Sequence, residues 1–400
     1  MRDRPFNSWP CFSEEEIEAA AAVLRSGKVN YWTGNQGKLF EQEFAAYHNR
    51  RYALAVANGT VALELGLAAM GISPGDEVIV PSRTFIASAS SAVMRGAVPV
   101  CVDVSPDSQT LTSETIEASI TPKTKAVVAV HLAGWCCDMD SIMALAEQYG
   151  LRVIEDCAQS HGARYKRRLA GSMGNAGAFS FCQDKIMSTG GEGGMLLTDD
   201  EEIFKRAWSL RDHGKSHDLC SQFTSAGQGF RWLHESFGTN WRLTEMQSAI
   251  GRVLLRRLER DVDIRRRNAS ILSQHFRAVP GLRVPEPPDY IRHAYYKYYA
   301  FLRPETLRED WSRDRIVAAI NAQGIPCFSG SCSEIYMEKA FDSVDAVRPA
   351  RRLPVARSLG KTSLMFLVHP TLSESDMLDT CSVVESIMSE ATWRMEKVAA

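Results

Sequence analysis

Through the first two-thirds of the chain, short apolar runs alternate with amphipathic stretches. The runs over 52–57, 77–81, 99–104, 125–131, 152–157, 178–182 and 194–198 predict seven strands. Several are apolar on both faces, as a strand covered by helices on both sides must be. Helical spacing from the turn at 58–60 to about residue 70, and over 113–119 and 139–148, gives βα alternation and hence a mostly parallel sheet. Over 222–240 the pattern lapses into a Gly- and aromatic-rich stretch, and such a length without regular structure points to function or mobility. A long Arg-rich helix is predicted over 244–278, its mixed charge that of a solvated face joining two domains. Residues 280–288 read as a linker. A strand over 295–302, a helix over 314–323, an irregular stretch and a terminal helix from about residue 373 then make a small α+β unit. The expected division is a large domain over 1–265, N-terminal segment included, and a small C-terminal α+β domain over 266–400.

Composition narrows what such a chain can do. Four hundred residues, 45% of them hydrophobic, suit a large domain plus a smaller one. A net charge of −2 supplies no basic field for nucleic acid or an anionic membrane, so an anionic ligand needs a local site. No run of about 18 apolar residues is present, and residues 1–10 lack the apolar core of a signal peptide. The ten cysteines are scattered; Cys136 beside Cys137, and Cys327 five before Cys332, match neither a zinc nor a thioredoxin-type spacing. Reduced thiols in a cytoplasmic protein without a metal site are expected.

Three segments carry candidate chemistry. Asn58-Gly59-Thr60 lies between a strand and a helix, where glycine allows close approach of a ligand and free N–H groups attract phosphate; a plain helix cap reads equally well. The apolar strand ending in Glu155-Asp156 puts an acid at the carboxyl edge of a parallel sheet, where ligands sit. Such a carboxylate can keep a pyridine nitrogen protonated, or can simply cap a helix. The third segment delivers Ser180 and then Lys185 into a loop holding Gly190-Gly191-Glu192-Gly193-Gly194. A partly desolvated lysine near a cationic ring becomes a nucleophile and proton shuttle, whereas a lone loop lysine is usually just solvated. The glycine run does not open a helix after the first strand of a βαβ unit, so it is not a dinucleotide loop. Phosphate turn, strand-end acid and later lysine, in that order, are the parts of pyridoxal-phosphate (PLP) chemistry.

At these residues the chain resembles the DegT/DnrJ/EryC1/StrS family of PLP-dependent sugar aminotransferases. The resemblance rests on Ala57-Asn58-Gly59-Thr60-Val61-Ala62-Leu63, the stretch 71–81, Thr84-Phe85, Val130-His131-Leu132, the stretch 154–163, Phe179-Ser180-Phe181 with Lys185, Gly191-Glu192-Gly193-Gly194, His213-Gly214 and Gly238-Thr239-Asn240-Trp241-Arg242. It implies the type I PLP aminotransferase fold and a homodimer with shared active sites. It also implies that Lys185 forms the Schiff base and moves the proton, and that Asp156 pairs with the pyridinium nitrogen. Phe85 would stack on the ring and Gln159 would bond its phenolic oxygen. Gly59, Thr60 and Ser180 would hold the phosphate, with Asn240 reaching the phosphate of the neighbouring subunit; His161 would lie near the site without an assigned role. Phe85 reads otherwise as a core aromatic. Gln183-Asp184-Lys185-Ile186 replaces the family's commoner Pro-Thr-Lys-Asn, and Trp241 stands where tyrosine is usual. Both departures bear on substrate choice rather than on the chemistry.

The resemblance implies transfer of an amino group from an amino acid, L-glutamate in the family, to a nucleotide-linked keto-sugar for polysaccharide, O-antigen or antibiotic assembly. The alternatives are a PLP-dependent sugar dehydratase, an aminotransferase making a cyclic non-sugar product, and a non-catalytic regulatory homologue. Dehydratase relatives carry histidine in place of the lysine, which Lys185 argues against.

Overall fold

The computed structural model describes residues 4–222, 232–343 and 348–393. All seven apolar runs become strands of one sheet: β1 (Tyr52–Val56), β2 (Glu77–Pro81), β3 (Val98–Val102), β4 (Thr124–Val130), β5 (Arg152–Asp156), β8 (Ala176–Ser180) and β9 (Gly194–Thr198), with a short hairpin of β6 (Arg164–Tyr165) and β7 (Arg168–Leu169) between β5 and β8. The order is β1-β9-β8-β5-β4-β2-β3. Pairing is parallel except at β9, which runs against both its neighbours.

Two cores explain why these runs lack polar alternation. Val127 and Ala129 of β4 pack on one face with Ile79 and Val153, under Leu254, Leu258 and Val262 of the helix Glu245–Phe276. Val128 and Val130 face the other way with Val80 and Ile154, under Ala62 and Leu65 of the helix Gly59–Ala69. With both faces covered, each position from Ala126 to Val130 is worth roughly 1.5–3 kcal/mol when apolar, and only Lys125 near the start of the strand reaches solvent.

The helix Glu245–Phe276 serves two units. Thr244 caps it, accepting from Gln247 N while the Gln247 side chain accepts from the Thr244 backbone N–H. Its last turns send Ala269, Leu272 and Phe276 into a further core with Tyr298, Ile316, Ile320, Phe366 and Val384. That core lies on a four-stranded antiparallel sheet of β10 (Leu282–Arg283), β12 (Tyr298–Leu302), β13 (Cys327–Phe328) and β14 (Ser363–Phe366), in the order β10-β12-β14-β13. β11 (Ile291–Arg292) instead joins the β6–β7 hairpin.

Two readings of the sequence need correction. The stretch 280–288 is not only a linker, because Leu282 and Arg283 pair with Leu302 and Phe301. The stretch taken as irregular holds β13, the helix Pro354–Thr362 and β14. Of the lapse at 222–240, residues 223–231 lie outside the described residues. On either side, bridges join Lys215 to His234 and Asp212 to Asn240. All ten cysteines are unbonded, and no described helix is long and apolar enough to cross a membrane.

Candidate active site

The carboxyl ends of β5 and β8, and the turn after β1, open into a cavity of about 870 Å³. Gly59, Thr60, Phe85, Asp156, Gln159, Ser180 and Lys185 all line it. Asn240 does not; it is exposed, at its bridge to Asp212. His161 sits behind the wall, fully buried with its ring 5.4 Å from that of Phe179 and 5.7 Å from that of Phe181, and burial pushes it down to about 3, so it is a neutral core ring.

At the first wall the Asn58 side chain accepts from Val61 N at 2.9 Å, so the cap is real and coexists with the turn's place in the cavity. A Cβ on Gly59 would lie 2.5 Å from the Cβ of Ser180. Only glycine lets the helix start close against the end of β8, leaving first-turn N–H groups and two hydroxyls in one corner. That corner is the chemistry of an anion site.

Asp156 ends β5, 6% exposed. Ser88 Oγ donates to its Oδ2 at 2.8 Å and Ala158 N to its Oδ1 at 3.1 Å. Burial raises its pKa, with Ser88, Ala158 and the charge of Lys185 opposing. A carboxylate kept from water in this way binds a cation strongly. Gln159 is oriented by Ala133 N, which donates to its Oε1 at 2.8 Å and leaves its amide N–H groups for a ligand. Phe85 is 68% exposed, which rules out the core-aromatic reading.

Lys185 has only 17% of its side chain exposed, and its Nζ lies 3.2 Å from Asp184 Oδ1. Burial alone would raise the Asp184 carboxyl; Lys185, the Tyr296 hydroxyl donating to it and Lys297 together hold it below the usual range. Trp9 Nε1–H donates to the carbonyl of Lys185 at 2.9 Å, so the N-terminal segment braces the lysine loop. Asp184, Tyr296, Lys297, Ser88 and Trp9 were missed in the sequence. The one signal for them was a lysine within the aromatic run 295–299.

Next to Asp156, the side chain of Glu155 points away from the cavity. It accepts from His131 Nε2 at 2.8 Å, Gly171 N at 2.8 Å, and Met173 N and Gly174 N at 2.6 Å each. His131, Glu155 and Cys157 gather within 4.8 Å, but these four donors already fill both oxygens of Glu155, and the cluster pins the 170–174 loop to β5.

A lysine amine, a buried carboxylate and a phosphate-sized corner at one sheet edge define an enzyme that works through a pyridine aldehyde. The chain belongs to the DegT/DnrJ/EryC1/StrS aminotransferase family, whose sequence profile matches residues 10–387. It is similar to a solved aminotransferase from Psychrobacter cryohalolentis, 51% identical with a TM-score of 0.94 over 97% of this chain and 100% of that one. It is 37% identical to the UDP-N-acetyl-3-dehydro-alpha-D-glucosamine 3-aminotransferase of Acidithiobacillus ferrooxidans, over 92% of this chain and 96% of that protein. It is 33% identical to the 3-amino-5-hydroxybenzoate synthase of Amycolatopsis mediterranei, over 96% of this chain and 98% of that protein. The fold is that of the PLP-dependent aminotransferases of this family, the cofactor is PLP, and the chain is an aminotransferase related to enzymes of amino-sugar assembly. The cavity fits that cofactor: the Gly59–Ser180 closure makes room for a phosphate and no Cβ, and the buried Asp156 suits a pyridinium.

Proposed function

We propose that this aminotransferase moves the amino group of L-glutamate onto a keto-sugar carried by a nucleotide, for polysaccharide, O-antigen or antibiotic-sugar assembly. The observation that carries the reading is Lys185 lining the same cavity as Asp156 and the Gly59–Ser180 corner. PLP, when bound, supplies an aldehyde for amines and a ring that accepts the electron pair of a breaking C–H bond. Lys185 would hold the aldehyde, Asp156 the ring nitrogen, Gln159 the phenolic oxygen and Phe85 the ring face. Gly59, Thr60 and Ser180 would hold the phosphate. Once freed by an incoming amine, Lys185 Nζ would carry the proton from the donor's α-carbon to the cofactor's former aldehyde carbon, and in the second half-reaction would carry one from that carbon to the sugar carbon that receives the amine. Asp184 stands beside that nitrogen and would steady its ammonium between the two transfers.

The retained lysine disfavours the dehydratase reading, and lysine, acid and phosphate corner together disfavour a non-catalytic homologue. A homodimer with Asn240 reaching the neighbour's cofactor phosphate accounts for a residue exposed outside its own subunit's cavity. The unbonded cysteines accord with a cytoplasmic protein, and a division into domains at 265/266 accords with a helix that feeds two cores. Purified protein with PLP should change absorbance on addition of L-glutamate, and borohydride should fix a pyridoxyl group on the Lys185 peptide. A panel of 3-keto and 4-keto nucleotide sugars should then yield an amino sugar. Amination of a cyclic non-sugar ketone alone would put the chain beside its aminohydroxybenzoate relative, and silence toward every amino acid would end the reading.

A further inference from the structure

The far wall of the cavity comes from the small unit: Tyr296, Lys297, Tyr299, Phe328, Met365 and Leu367. Apart from Lys297 these are apolar or aromatic, and the small side chains of Ser331 and Cys332 complete the wall. Lys185 and Lys297 are the two basic side chains among the described residues lining the cavity. Lys297 Nζ lies 4.8 Å from the centroid of the Tyr296 ring and Lys185 Nζ 5.1 Å from the same centroid, which caps their separation at about 10 Å. Among the described residues Lys297 makes no ion pair, and Asp184 is engaged by Lys185 and the Tyr296 hydroxyl. Burial pulls its amine down to about 8; Asp184 opposes this, while Arg265 and Lys185 add repulsion. An ammonium fixed over a ring in a mostly apolar wall, with no ion pair of its own and the charge of Asp184 shared with Lys185, is costly unless an anion joins it.

We propose that Lys297 is the anion anchor for a carboxylate of the amino-acid donor. The proposal rests on the aminotransferase reading, in which the cofactor phosphate and ring nitrogen have their own partners and leave this cation over. Glutamate fits the span: its side-chain carboxylate reaches roughly 5 Å from its own α-nitrogen, and a charge-assisted hydrogen bond adds ~2.8 Å. The α-carboxylate lies closer in and falls within the same limit. Both sources share one chemistry, and the experiment separates them.

Lys297→Met keeps an unbranched stem of similar volume and removes the charge. In stopped-flow measurements of the cofactor absorbance, the glutamate concentration for half-maximal rate should rise at least tenfold, while the limiting rate falls less than threefold. Lys297→Arg should restore most of the affinity. Calorimetric binding of glutarate, which cannot react, to the PLP-loaded protein should weaken by at least tenfold in Lys297→Met. If the side-chain carboxylate is held, the variant loses the wild-type preference for L-glutamate over L-glutamine; if the α-carboxylate is held, both weaken together. A Lys297→Met protein that binds glutamate and glutarate as wild type does overturns the proposal. So does a variant impaired only toward the nucleotide sugar. A wild-type protein silent toward glutamate and blind to glutarate overturns the donor reading itself, and this inference with it.

Discussion

Asp156 shows how a single residue can be poorly placed for stability and well placed for chemistry. Burial holds its carboxyl above the ordinary aspartate range even with Ser88 and Ala158 donating to it. A carboxyl whose folded-state pKa exceeds its unfolded one destabilises the fold above that pKa, and the penalty fades as pH falls through it. Asp156→Asn keeps the acceptor for Ser88 and removes the charge. Without PLP at pH 7 the variant should melt about 1–3 °C higher than wild type, a gain of about 1 kcal/mol, and the difference should shrink in acid. With PLP the same variant should lose roughly a thousandfold in turnover, since the ring nitrogen loses its anion. Calorimetry without PLP and steady-state rates with it check the two halves, and a lower melting temperature at pH 7 would refute the first. Gly59 makes the opposite case, a residue whose absent side chain is its function. Gly59→Ala puts a Cβ 2.5 Å from that of Ser180, so the helix start must back away. Cofactor affinity should fall at least tenfold, about 1.4 kcal/mol or more, measured by fluorescence titration with PLP.

At the scale of elements, the strand β5 carries two neighbouring acids on opposite faces, one for the cavity and one for the scaffold. Burial alone would raise the Glu155 carboxyl, but His131 and the N–H groups of Gly174 and Gly171 hold it below the ordinary range. Its stabilising effect is therefore present above the unfolded pKa and lost as pH falls through the folded one. Glu155→Gln leaves the four donors with one acceptor oxygen and should cost about 2–4 kcal/mol at pH 7, read from urea unfolding. The cost should diminish toward acid as the wild-type carboxyl takes up a proton. Such strands were the legible part of the chain. Residues 126–130 are apolar throughout because both faces of β4 are covered, and a run of that kind leaves few other readings. The cap at Thr244 and the start at Ser373 were legible for a local reason, a hydroxyl followed three residues later by Gln247 or Asp376. β10 escaped because it is two residues long in a proline-rich stretch, and β14 because a four-residue strand shows too little period to separate from its helical neighbour. Of the site, the turn, the acid and the lysine are each local in sequence and could be read. The Asp184–Tyr296 contact and the place of Lys297 join segments 112 positions apart, and no local pattern encodes that meeting.

At the scale of the whole molecule, one of the residues implied by the family resemblance stands apart from the rest. Asn240 is exposed, tied by a bridge to Asp212 and absent from the lining of its own subunit's cavity, whereas every other cofactor-binding candidate lines it. In the proposed dimer a second copy of the chain would reconcile the two facts, because two-fold symmetry lets each subunit lend the same exposed segment to the other. The arrangement can be tested without any structure of the dimer. Lys185→Ala and Asn240→Ala should each leave little activity when pure. Unfolded together and refolded as a mixture, equal amounts form about half mixed dimers. In a mixed dimer one cavity combines the defective lysine with the defective asparagine, while the other combines native Lys185 from one subunit with native Asn240 from its neighbour. Activity should therefore recover to about a quarter of a wild-type sample treated in the same way, one working site in four. Were Asn240 to act only within its own subunit, every cavity in the mixture would keep one defect and no recovery would follow. Sedimentation of the mixture distinguishes that result from a failure of the chains to associate.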